Sequence, residues 1–341
     1  MLNAKPLIAL AGAALLALGA TAADLNPAHP DRYIVQRGDT LWDIAARFLN
    51  KPWEWPEIWQ VNPQVDNPHL IYPGDELVMT YADGRPLLTR SGKRTVRLSP
   101  GVRRSPIDQA IPTIPIEHIA PFLTEPLVVD EGELEAAPYI VAFADEHIAG
   151  GTGQNVYARN LRPGLDHQVY RPGKPLLDSE TKELLGHEAI FVGDARRVRD
   201  GDPATLTLTS TTREALVGDR LLPTPDAELR TNFMPHAPNH NVRGHIIRVL
   251  DGVNQIGSLR IVTIDRGGWD GLEPGHVLLV EQAGETIKDP VSPDPKDTVR
   301  LPDEPAGTVL IFRTFPRVSY GLVMSAIRAI HLDDIVRTPD R

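Results

Sequence analysis

The chain contains no cysteine among its 341 residues. This absence excludes disulfide bonds, a thiol nucleophile, cysteine metal ligands and a lipid-modified N-terminal cysteine. Aromatic residues are scarce, at 6% of the chain, and four of the five tryptophans fall between residues 42 and 59. The chain also lacks an excess of positive charge, because its net charge is −10. Nucleic-acid binding requires a basic face, so the acidic charge argues against a nucleic-acid partner.

Beyond its first residues the chain has no apolar run long enough to cross a bilayer. The start of the chain is typical of an export signal, with a positive charge at Lys5, an apolar core from Leu7 to Leu18 and a small-x-small pattern at Ala20-Thr21-Ala22. An anchoring transmembrane helix is the alternative, but the apolar run is short for a span of roughly 20 residues. We therefore expect residues 1–22 to be a cleaved signal peptide and the mature protein to be periplasmic, with no transmembrane segment.

Residues 31–80 have the pattern of a compact strand-helix-helix-strand unit. Thr40 is a good N-cap, with Asp43 at the third helical position as a weaker form of capping box. The first helix has one apolar face, and the second helix, Trp53 to Val61, tolerates Pro56 only in its first turn. Pro73-Gly74-Asp75 is a turn before a closing strand. The apolar face of the first helix comprises Leu41, Ile44, Ala45 and Phe48.

The runs YIVQRGDTLWDIAARF and NPQVDNPHLIYPGDELVM, within residues 31–80, resemble a LysM domain. The resemblance implies binding of N-acetylglucosamine units in glycans such as peptidoglycan, in a shallow groove between two loops. One wall of the groove would comprise Gly38, Asp39, Thr40 and Leu41, and the other Asn67, Pro68, His69, Leu70 and Ile71. Simpler roles stay open, because Thr40 can be only a cap, Gly38 only a turn and Ile71 only core. The tryptophans are expected in the core, with the role of Trp53 left open.

Residues 81–126 are predicted to be a basic, proline-rich linker. Residues 81–104 hold seven basic residues and one acidic residue, and prolines recur after them. Such a composition favours extended, semi-stiff backbone. The basic stretch is either a solvated linker or a contact for acidic groups of a partner or of the wall. Several apolar residues suggest that part of the segment docks on a neighbour, namely Ile111, Ile114, Ile116, Ile119 and Phe122.

Residues 127–341 are predicted to be mostly β, because short β-branched runs, such as Tyr139 to Phe143 and Leu259 to Ile264, alternate with glycine, proline and aspartate turns. A weak internal repeat is visible: LRPG at residues 161–164 parallels LEPG at 272–275, and STTREALVGDRLLPTP from Ser210 parallels SAIRAIHLDDIVRTP from Ser325. The repeat predicts a duplicated β-unit, with similar turn chemistry as the alternative. The expected fold class is therefore α+β and multidomain: a small βααβ domain, a linker and a mostly β region.

The stretch LRIVTIDRGGWDGLEPGHVLLV, Leu259 to Val280, resembles the C-terminal domain of the flagellar assembly protein T family. The whole layout, from signal peptide to this domain, resembles the secretin-associated proteins of type IV pili. This resemblance implies a periplasmic adaptor with two partners, peptidoglycan and an outer-membrane secretin ring. A wall-binding component of a flagellar or other envelope machine is the alternative.

An enzyme that remodels the wall is the least favoured interpretation. His236, His240 and His245 lie close together, but without accompanying carboxylate ligands they are expected to be loop histidines. The Ser179 to Lys182 stretch matches Ser-x-x-Lys, yet the companion Lys-Thr-Gly motif is absent. Asp265 and Asp270 are better explained as turn caps than as an acid pair. We therefore expect no catalytic residue, no metal site and no cofactor.

Overall fold

The computed structural model describes residues 24–59, 70–82, 84–91, 110–123, 127–130, 132–161, 166–224, 233–250, 256–294 and 296–340. The chain divides into two compact units. One unit holds the described residues up to Gln36 and those from Ile44 to Ser91, and the other holds Arg37–Asp43 and the chain from Ala110 onward. Within the described ranges, no helix has the length and apolar character needed to span a membrane.

The N-terminal part has the expected order of strand, helix, helix and strand. Its strands are β1 (Arg32–Ile34), β2 (Glu76–Ala82) and β3 (Arg85–Ser91), and its helices are α1 (Leu41–Phe48) and α2 (Trp55–Ile58), with a 3₁₀ turn at Pro52–Glu54. The central strand β2 pairs antiparallel with both β1 and β3. The predicted apolar face of α1 is buried, and so are Trp42, Trp53 and Trp55. Trp53, whose role the sequence left open, is therefore a core residue.

Strand β3 lies inside the segment 81–126 that the sequence predicts as linker. It pairs with β2 along its whole length, from Ala82–Arg85 to Glu76–Ser91, and Gly84 in the connecting turn has φ +76. Pro86 and Leu88 are buried. This strand was not predicted because the sequence here is rich in basic residues; its two arginines, Arg85 and Arg90, lie near its ends and are exposed. Residues 92–109, the centre of the predicted linker, lie outside the described residues, as do residues 1–23.

Downstream of the N-terminal part, short helices α3 (Ile116–Ile119) and α4 (Glu133–Ala136) precede or flank the first strands of a seven-stranded sheet. The order of strands in this sheet is β10-β7-β5-β12-β8-β9-β4, and β9 also pairs with β10. That extra pairing closes six strands into a circuit of hydrogen bonds, which we call the first barrel. The strands are β4 (Leu127–Val129), β5 (Tyr139–Phe143), β6 (Ala149–Gly150), β7 (Asn155–Arg159), β8 (Asp166–Leu177), β9 (Leu184–Arg199), β10 (Ala204–Thr211), β11 (Ala215–Leu216) and β12 (Arg220–Pro223).

Six strands downstream of β12 form a second barrel, which is closed in the order β13-β14-β19-β18-β15-β20. Its interior is filled by aliphatic side chains, including Ile246, Val262, Leu278 and Val309. A separate exposed hairpin, β16 paired with β17, lies between β15 and β18. The strands are β13 (Arg243–Val249), β14 (Ile261–Ile264), β15 (Val277–Gln282), β16 (Thr286–Lys288), β17 (Thr298–Arg300), β18 (Glu304–Thr314), β19 (Ser319–Ala326) and β20 (Ile335–Arg337).

The two barrels share one topology. If the six strands of each barrel are numbered along the chain, both circuits run first, second, fifth, fourth, third, sixth. The turn before the last strand is also the same: Asp219 accepts the N–H of Leu216 at 2.8 Å, and Asp334 accepts the N–H of His331 at 2.7 Å. These aspartates are the pair that the sequence repeat aligns.

A matching bulge occurs where the fourth and fifth strands meet. A Cβ on Gly193 would lie 2.2 Å from the carbonyl oxygen of Ser210, and one on Gly307 would lie 2.1 Å from that of Ser325. Neither glycine can therefore be replaced without moving the neighbouring backbone. The two serines are again the residues that the sequence repeat aligns, so the likeness extends from strand order to single contacts.

An arm of the first barrel, the turn between β8 and β9, contacts the second barrel through ion pairs. Arg266 binds Asp178 at 3.0 Å, and Arg317 binds Glu183 at 2.8 Å. A small apolar cluster of Leu176, Leu185 and Val318 lies at the same contact. A cavity of about 220 Å³ lies beside it, lined by Leu176, Asp178, Lys182, Ile247 and Leu332 among others. In both of these ion pairs the acidic residue comes from the arm and the arginine from the second barrel.

Candidate functional site

The first predicted wall lies at the N-terminus of α1. Thr40 is its N-cap: the N–H of Asp43 donates to Thr40 Oγ1 at 3.1 Å, and the N–H of Thr40 donates to Asp43 Oδ2 at 3.2 Å. This reciprocal pair is the capping box that the sequence predicts. The Thr40 hydroxyl also donates to Asp43 Oδ2 at 2.7 Å. Thr40 is buried, so its hydroxyl serves the helix.

The turn before the cap requires glycine for its backbone conformation. Gly38 has φ +95, in the left-handed region, and a Cβ placed there would meet nothing within 4 Å. Conformation rather than space therefore selects glycine at this position. Gly38 is exposed and Asp39 is partly exposed. Of the first wall, these two residues are the ones that a ligand can reach.

The remaining residue of that wall is already bonded to the chain itself. Leu41 is buried, and its N–H donates to the carbonyl oxygen of Pro112 at 2.9 Å. The N–H of Trp42 donates to the carbonyl oxygen of Thr113 at 3.1 Å. A helix leaves its first N–H groups without intrahelical partners, and residues 110–113 supply two of those partners here. The sequence indicated that this segment docks on a neighbour but not where.

The second predicted wall contains one exposed and one buried described residue. Leu70 is 40% exposed, whereas Ile71 is 1% exposed and belongs to the core. The turn that follows is held by Asp75, which accepts the N–H of Tyr72 at 3.0 Å, and Gly74 there has φ +92. Asn67, Pro68 and His69 lie outside the described residues. Of this wall, the structure therefore assigns an accessible side chain to Leu70.

The histidines of the C-terminal part occupy separate structural positions. His236 bonds the carbonyl of Met234 and packs its ring against His276, and His240 bonds the carbonyl of Asp270. Within the ranges that the structure describes, no group of three or more histidine and carboxylate side chains is placed to hold a metal ion. The sequence predicted loop histidines, and His236 and His240 make loop contacts of that kind.

His245 is not the loop histidine that the sequence predicted. It lies in β13 and is buried beside Asp265, with 3.2 Å between His245 Nδ1 and Asp265 Oδ2. The hydrogen bond to Asp265 raises the pKa of His245, and this effect outweighs the opposing effect of burial. Asp265 also accepts the N–H of His245 and that of Ser179. Asp270 accepts the N–H of Gly267 at 2.8 Å. Both aspartates therefore cap backbone, as the sequence indicates.

The Ser-x-x-Lys stretch forms a capped turn in the arm of the first barrel. Asp178 accepts the N–H groups of Glu180 at 2.9 Å and Thr181 at 2.8 Å, and the Ser179 hydroxyl donates to Asp333. Burial alone would raise the pKa of Asp178, but these N–H donors and Arg266 lower it to about 2. The contacts explain this stretch as part of the joint between the barrels.

Comparison with known proteins assigns the N-terminal part. Residues 33–80 match the LysM domain family. A protein of Bacillus subtilis (strain 168), uncharacterized protein YqbP, is similar to this chain, with 38% identity over 58 residues. The similarity covers 14% of this chain and 26% of that protein, so the chain spans about a quarter of its relative. Residues 33–80 are therefore a LysM domain, a module that binds glycans containing N-acetylglucosamine, such as peptidoglycan.

Proposed function

We propose that this chain is an exported, noncatalytic adaptor that binds peptidoglycan and holds an outer-membrane secretin ring of type IV pili to the cell wall. The observation that carries the proposal is the LysM domain at residues 33–80. The export signal expected at residues 1–22 supports a periplasmic location, where peptidoglycan lies. The two barrels supply the part of the chain that would contact the secretin.

The accessible residues of the two predicted walls define how glycan binding should be tested. Thr40 caps α1 and Ile71 is core, so replacing either would disturb folding. Asp39 and Leu70 are at least partly exposed, so replacing them leaves the buried core intact. The informative variant therefore combines Asp39→Arg with Leu70→Asp.

The experiment is co-sedimentation of the mature full-length protein with purified sacculi. The wild type should pellet, and the double variant should stay in solution. Tyr81→Ser is the matched control, because Tyr81 is 61% exposed at the far end of β2 and should not affect pelleting. Thermal unfolding verifies that all three proteins are folded. Undiminished pelleting of the folded double variant would contradict the assignment of the site.

A single shallow site of this kind is expected to bind weakly, with a dissociation constant between roughly 1 mM and 1 µM. Firm attachment then needs several copies on one assembly, because linked sites rebind at about millimolar effective concentration. A multimeric secretin ring would supply that arrangement. Crosslinking in cells, followed by mass spectrometry with and without the pilus secretin, tests the partner. Recovery of flagellar ring proteins without the secretin would point to the alternative machine.

We further propose that the two barrels derive from one duplicated β-unit. Their common strand order, the paired aspartates 219 and 334 and the paired glycines 193 and 307 support this origin. Turn chemistry alone would explain the aspartates but not the shared circuit of six strands. A separately expressed second barrel, residues 233–340, should fold if each unit once folded independently. Failure of this fragment to give a cooperative unfolding transition would count against the proposal.

A further inference from the structure

The N-terminus of α1 is bonded to a distant segment of the chain. Residues 110–115, which we call the strap, belong to the same compact unit as Arg37–Asp43. The carbonyl oxygens of Pro112 and Thr113 accept the N–H groups of Leu41 and Trp42, at 2.9 and 3.1 Å. Because the N–H of Asp43 is used by Thr40, the first three N–H groups of α1 all have partners within the chain.

The strap is held by buried side chains and by proline. Ile111 and Thr113 are 8% exposed, and Ile114 is fully buried. Pro112 and Pro115 restrict their own backbone and favour extended conformations in the residues before them. Docking of the strap on α1 therefore costs less conformational entropy than docking of a flexible segment would.

The strap and the ligand expected at this wall share one hydrogen-bonding group, an amide carbonyl oxygen. The acetamido group of N-acetylglucosamine contains an amide carbonyl, which accepts hydrogen bonds from backbone N–H groups as a peptide carbonyl does. Leu41 belongs to the predicted wall and Trp42 follows it. We propose that the strap is an intramolecular competitor of the glycan, which occupies the N–H groups of Leu41 and Trp42 until it is displaced. This inference rests on the proposed function, since it assigns regulation to the same site.

Competition of this kind lowers the apparent affinity by the fraction of molecules in which the strap is released. A strap that is docked in about nine molecules of ten reduces the apparent affinity about tenfold. The strap precedes the first barrel along the chain and is followed at once by α3. A partner that binds the barrels and displaces the strap would therefore raise glycan affinity. Attachment to the wall would then depend on the partner being present.

The test compares the wild-type mature protein with Ile111→Ser/Ile114→Ser, in which the buried anchors of the strap are lost. A second variant, Pro112→Gly/Pro115→Gly, loosens the strap without opening the core. The matched control is Glu117→Ser/His118→Ser, because both side chains are exposed just beyond the strap. Amide hydrogen exchange at residues 41 and 42 reports strap release, and the amide of Leu49, bonded to the Ala45 carbonyl, reports whether α1 is intact.

The binding probe is the N-acetylglucosamine tetramer, measured by calorimetry, with sacculi as a second ligand. Faster exchange at residues 41 and 42, an intact α1 and about tenfold tighter binding by the serine variant would support the proposal. Unchanged or weaker binding by a variant with released amides and an intact α1 would overturn it. Equally fast amide exchange at residues 41 and 42 in the wild type and in the variants would also overturn the proposal. Absence of binding by every protein, with both ligands, would instead refute the proposed function itself.

Discussion

Removal of the Asp219 carboxylate should destabilise the first barrel far more than removal of an exposed acidic residue. Asp219 is 2% exposed and lies in the turn before β12. Its two oxygens accept hydrogen bonds from Arg171 Nε and Nη2, both at 2.9 Å, and the N–H of Leu216 donates to it at 2.8 Å. Asp219→Ala therefore removes a bidentate ion pair and leaves one backbone N–H without its acceptor.

The size of the effect follows from the burial of the two partners. Breaking a buried ion pair by removing one partner costs about 3–5 kcal/mol. The Arg171 side chain is 30% exposed, so water can solvate part of the stranded guanidinium. We therefore expect the lower end of that range, about 3 kcal/mol. The control is Asp166→Ala, because the Asp166–Arg196 pair is 58% and 63% exposed and should contribute less than about 1 kcal/mol.

Native-state amide hydrogen exchange of β8 and β12, resolved by mass spectrometry, is the suitable assay. The five tryptophans all lie outside the first barrel, so tryptophan fluorescence does not report on it. Exchange gives the free energy of local opening for each segment. The expected result is a loss of about 3 kcal/mol in β8 and β12 for Asp219→Ala and little change for Asp166→Ala. Equal losses in the two variants would refute the reasoning.

Three further outcomes follow from the contacts described. Thr40→Ala should destabilise the LysM domain by about 1 kcal/mol in chemical denaturation, whereas Thr40→Ser should retain the cap. The pKa of His245 is raised in the folded state, so its contribution to stability is complete below about pH 6.5 and is lost as pH rises through the folded-state pKa. The melting temperature of the wild type should therefore fall as pH rises through that pKa, whereas that of His245→Gln should not. The pKa of Asp178 is about 2, so its contribution to stability is complete above about pH 4 and is lost as pH falls towards 2. Acid unfolding of Asp178→Asn should lack this pH-dependent loss of stability.

Much of the N-terminal part could be predicted from local sequence because its determinants are local. The cap and the apolar face of α1 lie within nine residues of each other, from Thr40 to Phe48, and the structure has both as expected. The turn at Gly74 is local as well, because it depends on the positive φ of that glycine.

In the C-terminal part, β5 coincides with the predicted run Tyr139 to Phe143. Other predicted strands are shifted at their ends, as for β14, which begins after Leu259, a residue with φ +64.

Long-range pairing could not be predicted in the same way. The extended strands β8 and β9 include glycine, proline and charged residues, and they are defined by pairing with each other rather than by propensity. The strap is a similar case, because its docking depends on carbonyl groups that every residue carries. The sequence indicated apolar docking through Ile111 and Ile114, but the acceptors at Pro112 and Thr113 have no side-chain signature.

The way both barrels close has a consequence for how the chain folds. In each barrel the first strand bonds to the last: β5 to β12, and β13 to β20. Neither barrel can therefore complete its hydrogen bonds before its entire segment is available, and such high contact order slows folding. Because the strand orders match, an unfinished barrel also exposes edges that suit strands of its neighbour or of another molecule. Strand exchange between barrels is thus a hazard during biogenesis, and chaperones that shield open edges should raise the yield of folded protein.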